Sequence, residues 1–299
     1  MVIRAQQGAQ SFEAAIKDID MKRTLTWLPL VAGLLLFATA CKNKPTETSD
    51  TLTLQKATLT TKAFMNNDTA GLELALTLAV EYPADYPDQA ILDKVRHQVI
   101  IDYFPEGADT TFADPDALLA AYVDDYKRFF FESESAYADV SGEEDYFDAE
   151  PWYNDQKLLV RYNEGDLFSY TVATDRYSGG AHGEKKFVNR VIDLKTGLKV
   201  TENELFTEEA KPLIVEMIQR QLLDEHGLKT VEELEEIGYF DVSEMNLNTN
   251  FFISKKGLTY TFNEYEIASY AVGASDVTLT FKSLAGFLKE GHPLNGLVE

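Results

Sequence analysis

The chain has 299 residues, of which 50 are acidic and 27 are basic, so its formal charge at pH 7 is −23. With 45% hydrophobic and 26% charged residues it has the composition of a folded protein, which excludes a disordered chain and a membrane protein with many spans. The acidity argues against nucleic acid as a partner, because phosphate backbones are bound through Lys and Arg. One Cys and four His leave no Cys-based metal site and no internal disulfide, so we predict neither a cofactor nor a metal.

The first forty residues have the pattern of an export signal. Met21-Lys22-Arg23 precedes the uncharged run TLTWLPLVAGLLLFATA and then Cys41. This order is typical of a secretory signal peptide, and the run is short for a transmembrane helix, which needs about 20 apolar residues. A membrane anchor that is retained is the alternative interpretation. Residues 1–20 would be an upstream extension, and we expect the natural start at Met21.

The residues before the cysteine resemble the lipobox of bacterial lipoproteins, in which the Cys becomes the lipidated first residue. The sequence there is Ala38-Thr39-Ala40-Cys41, with Ala38 where Leu is usual. The resemblance implies lipidation of Cys41 and membrane attachment by this lipid anchor only. It places the protein in the bacterial cell envelope outside the cytoplasm, in the periplasm or at the cell surface. A buried structural cysteine is the alternative, and residues 41–50 read as a flexible tether.

The N-terminal half of the remaining chain predicts strands and then helices. Apolar residues alternate over 51–64 and 72–80, which predicts two strands joined by a turn at Asn66-Asn67-Asp68. Residues 87–103 predict a helix, and a second helix is predicted to start at Pro115 with Asp114 as its cap. The second helix carries an aromatic stripe that we interpret as core.

The C-terminal half predicts more strands, with helices between them. We expect a hairpin over 157–174, a strand at 185–194 with a turn at Lys195-Thr196-Gly197, a helix near 208–226 ended by Gly227, a short helix capped by Thr230 and Glu233, a hairpin turning at 255–257, and a strand at 276–281. The class is α+β, with mainly antiparallel sheets and several packed helices. The predicted regions are 51–183 and 184–299.

Familiar catalytic signatures are absent from the sequence. It contains no G-x-S-x-G elbow, no H-E-x-x-H helix, no phosphate-binding loop and no calcium loop. Its histidines are scattered at His97, His182, His226 and His292. Distant residues can still assemble a nucleophile and its base in three dimensions. The sequence favours a non-catalytic protein without deciding the question.

One candidate site is a glycine-rich loop around a single histidine. Its candidate ligand-binding residues are Tyr177, Gly179, Gly180, His182 and Gly183. Glycines permit backbone angles and close approaches that side chains forbid. The loop either presents His182 and backbone amides to a ligand or is a tight connection whose His bonds to the fold.

A second candidate site is the acidic and aromatic segment from Ser141 to Asp155, with Tyr146, Trp152 and Tyr153 as candidate ligand-binding residues. Acid together with exposed aromatic rings suits a cationic protein, through steering and cation–π contacts. The rings could equally stack on sugars. Alternatively, the segment is a solvated loop whose aromatic residues fold back onto the core.

Three segments resemble a family of bacterial extracytoplasmic domains. They are YSGGAHG (177–183), VIDLKTGLKVTENELF (191–206) and FFISKKGLTYTFNEYEIASYAVG (251–273), with Ser269 where the family commonly has Pro. This RsiV/PdaC-like family includes the anti-sigma factor RsiV, which binds lysozyme, and the accessory domain of the peptidoglycan deacetylase PdaC. The resemblance implies a PdaC accessory-like region at 51–183 and an RsiV-like region at 184–299. The chain lacks a sigma-binding region and a deacetylase domain, so those activities do not transfer.

These observations lead to two expectations about function. The first is a non-catalytic, lipid-anchored envelope protein that binds a cationic protein such as lysozyme, or peptidoglycan. The second is an envelope hydrolase of glycan or peptide that uses His182 with carboxylates. The hydrolase requires a cleft in which His182 lies within hydrogen-bond reach of an Asp or Glu.

Overall fold

A computed structural model describes residues 51–104, 114–141 and 150–298 of the protein, without the side chains of 137–141. These residues form two sheets that are mostly antiparallel, together with six α-helices. The predicted α+β class is confirmed.

The first sheet contains six strands that lie in chain order. They are β1 (Thr53–Phe64), β2 (Glu73–Asp85), β3 (Trp152–Glu164), β4 (Leu167–Tyr177), β5 (Glu184–Asp193) and β6 (Leu198–Lys199). All neighbours are antiparallel except β2 and β3, which run parallel. A parallel pair needs a long crossover, and here two helices supply it. These are α1 (Gln89–Tyr103) and α2 (Pro115–Ser141).

The predicted alternation fixes which face of the first two strands is buried. Leu74, Leu76, Leu78 and Val80 are each at most 1% exposed, because α1 and α2 cover that face of the sheet. The turn between the strands uses Asn66 and Asn67 at φ 56° and 55°, a left-handed conformation that Asn tolerates. The predicted strands and turn are confirmed.

Both long helices begin at capping carboxylates. Asp88 accepts hydrogen bonds from the amides of Ala90 and Ile91, so α1 starts two residues after Pro87. Asp114 accepts one from the amide of Ala117, and α2 starts at Pro115 as predicted. The aromatic stripe of α2 lies in the first core. Its buried members are Tyr122, Tyr126 and Phe130.

The second sheet has the strand order β7 (Phe251–Ser254), β8 (Gly257–Phe262), β9 (Ser275–Leu279). The remaining helices are α3 (Glu202–Leu205), α4 (Lys211–His226), α5 (Val231–Glu236) and α6 (Phe281–Leu284). They form a second core with this sheet, joined by Leu167 and Val191 of the first sheet. Strand β7 packs against β3, β4 and β5.

Three local expectations are confirmed and one is wrong. Gly227 ends α4 at φ 67°, and Thr230 with Glu233 forms the capping box of α5. The turn before β6 contains Gly197 at φ 70°. The strand expected at 276–281 ends at Leu279, because the Thr280 hydroxyl accepts the amide of Ser283 and starts α6.

The predicted division between residues 183 and 184 lies in the loop of the β4–β5 hairpin. These strands pair from Leu167 with Asp193 to Arg176 with Glu184. Backbone hydrogen bonds therefore join residues of the two predicted regions within one sheet. Within the described ranges, no helix combines the length and hydropathy needed to cross a membrane.

Candidate functional site

The glycine-rich loop connects β4 to β5 and depends on its glycines. Gly179 and Gly180 have φ of 89° and 93°, and the hydroxyl of Tyr177 donates to the Gly180 carbonyl at 3.0 Å. A Cβ on Gly183 would lie 2.8 Å from the carbonyl oxygen of Arg176. A side chain at these positions would strain or displace the loop, which fixes where His182 stands.

His182 is exposed and contacts two tyrosines from the segment between β8 and β9. Its ring stacks on Tyr270 with centroids 4.2 Å apart, and its Nε2 lies 3.2 Å from the Tyr265 hydroxyl. Its Nδ1 lies 2.7 Å from the carbonyl oxygen of Gly183. In neutral His182, therefore, Nδ1–H donates to Gly183 and Nε2 accepts from Tyr265.

The two tyrosines are exposed, and one has an unusual backbone. Tyr265 is 57% exposed and Tyr270 39%. Tyr265 has φ 68°, a left-handed conformation that is uncommon for a bulky residue, and its amide donates to the carbonyl of Ala268 at 2.9 Å. Backbone strain of this kind clusters at functional sites. The hydrogen bond of the turn holds Tyr265 where it faces His182.

Tyr153 and Tyr177 extend the same surface on β3 and β4. Their rings stack with centroids 6.4 Å apart, and Tyr153 is 41% exposed. The Tyr153 hydroxyl donates to Asp175 at 3.1 Å. Burial, followed by the charge and hydrogen bond of Asp175, raises the pKa of Tyr153 to about 12, so the hydroxyl keeps its proton at neutral pH. We call Tyr153, Tyr177, His182, Tyr265 and Tyr270 the tyrosine patch.

Trp152 lies on the opposite face of β3 from Tyr153, because successive side chains of a strand alternate. It is 5% exposed and packs on Phe130 at 5.3 Å between ring centroids. Its indole donates to Glu134, and burial raises the pKa of that carboxyl. The structure therefore offers Tyr153, but not Trp152, to a ligand. Tyr146 and Cys41 lie outside the described residues.

Carboxylates adjoin the patch. Asp175 lies 3.6 Å from the Lys185 ammonium, and Glu264 accepts from the backbone amide of Lys185 at 3.3 Å. Burial raises the pKa of Glu264, and the nearby Lys185 and His182 oppose this rise. An open cleft of about 390 Å³ lies beside the patch. Its lining includes His182, Tyr265, the carboxylates Glu184, Glu264 and Glu266, and the lysines Lys185 and Lys186.

The hydrogen bonds of His182 can be compared with those that the expected hydrolase requires. Among the described residues, His182 bonds to the Tyr265 hydroxyl and the Gly183 carbonyl, and to no carboxylate. The acid–base pair that a hydrolase would need is therefore not formed at this histidine. No cluster of three or more His, Cys, Asp or Glu that could hold a metal occurs in the ranges that the structure covers.

Sequence reasoning proposed Tyr153, Tyr177 and His182 but missed Tyr265, Tyr270 and their acidic neighbours. Tyr265 and Tyr270 lie five positions apart in the segment 251–273, which is one of those that carry the family resemblance. Two aromatic residues in a loop between strands were the available signal. Their contact with His182, 83 positions away for Tyr265, is a tertiary feature.

The fold and site thus define an α+β protein with an exposed aromatic and acidic surface. Residues 203–282 contain a DUF3298 domain, a family described as a protein of unknown function. This domain includes Tyr265 and Tyr270, while the other residues of the patch precede it. No curated protein matches the chain.

Two solved structures have a similar fold. A DUF3298 family member from Bacteroides fragilis NCTC 9343 is 23% identical with a TM-score of 0.75, and the match covers 85% of this chain and 99% of that one. A DUF3298 family protein from Pseudomonas aeruginosa PAO1 is 14% identical with a TM-score of 0.52, covering 79% and 95%. At these identities the likeness establishes the fold alone.

Proposed function

We propose that this protein is a non-catalytic lipoprotein of the bacterial envelope that binds a cationic protein through the tyrosine patch. The leader before Cys41 and the formal charge of −23 support export and attraction of a basic partner. The resemblance to RsiV makes lysozyme the first partner to test.

The observation that carries the proposal is the assembly of four tyrosines and His182 beside Asp175 and Glu264. Exposed aromatic faces attract Lys and Arg through cation–π contacts, and adjacent carboxylates complement the same charges. Tyrosines also contribute large contact area at a low entropic cost. Rings held by hydrogen bonds, as Tyr153 and Tyr265 are, need little further ordering on binding.

The test is calorimetric titration of lysozyme into the full chain in detergent, at low and moderate salt. We expect saturable binding that weakens with salt. The double variant Tyr265→Ala, Tyr270→Ala should bind about tenfold more weakly, since each exposed cation–π contact is worth about 0.5–1 kcal/mol. His182→Ala should weaken binding too, because Tyr270 loses its stacking partner.

The matched control is His97→Ala, which removes an exposed histidine of α1, and it should bind as the wild type does. Absence of saturable binding at both salt concentrations would exclude lysozyme as the partner. Unchanged affinity in His182→Ala would remove the glycine-rich loop from the site.

A further inference from the structure

A second cleft continues the first along the outer edge of β5. It has a volume of about 480 Å³ and shares Lys186, Asn263 and Glu266 with the cleft beside the tyrosine patch. Together the two clefts form one groove, which we call the β5 groove. At about 3.3 Å per residue, the strand from Glu184 to Val191 gives it a length of roughly 23 Å. A groove of this length fits an extended polymer better than a compact small molecule.

The strand edge beneath the groove is already occupied by side chains. The amides of Lys185, Phe187 and Asn189 donate to Glu264, Asn263 and Asn250, respectively. A peptide that adds to a sheet needs free backbone groups on the edge strand. Such a peptide would have to displace all three side chains. We therefore expect a ligand to be recognised by the side chains that line the groove and not by the backbone of β5.

Unpaired positive charge lies where the two clefts meet, at Lys186, and within the second cleft, at Lys199. Lys186 and Lys199 are exposed, and neither makes an ion pair within the described part of the chain. Arg190 is neutralised by Asp102 at 2.8 Å. Glu266 is the one carboxylate that lines this second cleft, and it accepts from the Asn248 amide at 2.8 Å.

The two ends of the groove therefore differ in chemistry. Tyr265 and His182 present aromatic faces at one end, and such faces stack on sugar rings. Lys186 lines both clefts and Lys199 lines only the second, and their ammonium groups attract anions. A ligand that satisfies both ends combines sugar rings with negative groups along one chain.

We propose that the β5 groove binds an acidic glycan, a linear chain of sugar rings that carry carboxylates. The sugar rings stack on Tyr265 and His182, and the carboxylates bind Lys186 and Lys199. This inference rests on the export proposed above, because such polymers lie outside the cytoplasm. It does not depend on lysozyme binding.

The test compares two tetrasaccharides of equal length by calorimetry with the full chain. One alternates N-acetylglucosamine with N-acetylmuramic acid, whose lactyl groups carry carboxylates, and the other is chitotetraose, which has none. We expect the acidic tetrasaccharide to bind at least tenfold more tightly. The double variant Lys186→Gln, Lys199→Gln should abolish that preference.

Two further variants make the electrostatic assignment specific. Glu266→Gln keeps an acceptor for Asn248 and removes the negative charge, so it should raise affinity for the acidic tetrasaccharide. Lys229→Gln with Lys256→Gln removes two exposed lysines outside the groove and should leave affinity unchanged. An equal loss in this control would show that only net charge matters and would overturn the proposal.

Other outcomes also overturn it. These are no saturable binding of the acidic tetrasaccharide, equal affinity for chitotetraose, or equally tight binding of poly-L-glutamate, which would indicate an anionic peptide. Lysozyme titrated into Lys186→Gln, Lys199→Gln reports on the proposed function separately. A wild-type chain that binds lysozyme but not the acidic tetrasaccharide would reject this inference and leave the first proposal standing.

Discussion

Gly257 shows how a single residue supports the second sheet. It opens β8 at φ 152°, and a Cβ there would collide with the carbonyl oxygen of Leu279, which ends β9. Leu258 pairs with Leu279 in the ladder beside it, so the collision cannot be relieved by moving a flexible side chain. Glycine is required at this position both by its backbone angle and by the close approach of β9.

We therefore expect Gly257→Ala to lower the free energy of unfolding by roughly 3 kcal/mol or more, because the new side chain adds backbone strain and a steric collision with β9. Urea unfolding followed by circular dichroism measures this. Gly286→Ala is the control, because a Cβ at Gly286 meets nothing within 4 Å and its φ is not left-handed. A Gly257→Ala protein as stable as the control would contradict the argument.

At the scale of elements, β5 lacks a full neighbouring strand on its outer side. Strand β6 pairs only with Ile192 and Asp193. Along the rest of the strand, Asn263 accepts from Phe187 and donates to the same residue, and Asn250 accepts from Asn189. These side chains replace the missing strand and so protect an edge that would otherwise pair with other chains.

Replacing Asn250 and Asn263 by Ala should leave the amides of Phe187 and Asn189 without partners. Each substitution should cost roughly 1–3 kcal/mol of unfolding free energy, and the double variant should associate with itself. Urea unfolding and sedimentation velocity measure the two effects. Asn246→Ala removes an exposed asparagine that donates to the carbonyl of Glu244, away from β5, and it should change neither. A double variant that is monomeric and fully stable would refute the protective role.

Elements with a strong local signal were predictable, and contacts between distant segments were not. Period-two alternation gave β1 and β2, and capping residues gave the starts of α2 and α5. The short helix α3 was missed although Thr201 and Glu204 form a capping box, because no apolar run follows it. The His182–Tyr270 stack joins two loops of different sheets, and no local pattern encodes such a contact.

The whole molecule combines two packed cores with a strong negative charge. The proposed lipid on Cys41 would hold this acidic protein at a membrane.

If this assignment is correct, the full chain produced in a bacterium should appear by intact mass spectrometry as a polypeptide beginning at acylated Cys41. It should partition with membranes, whereas Cys41→Ser should neither acquire the lipid nor be cleaved there. Ala38→Leu, which restores the usual lipobox residue, should be processed at least as well as the wild type. An unmodified Cys41 thiol, or a leader still attached to the wild-type protein, would exclude the lipoprotein.

The parallel pairing of β2 with β3 has a consequence for the order of assembly. Leu74 lies beside Trp152 in the sheet, although both crossover helices separate them along the polypeptide. During synthesis the β1–β2 hairpin leaves the ribosome before β3 does. Until β3 follows, the edge of β2 that pairs with it has no partner. Closing so large a loop makes the middle of the sheet a late event. Such a nascent chain therefore completes its sheet later than a simple meander would. This delay would favour the proposed export, because a polypeptide passes through a translocation channel before it folds.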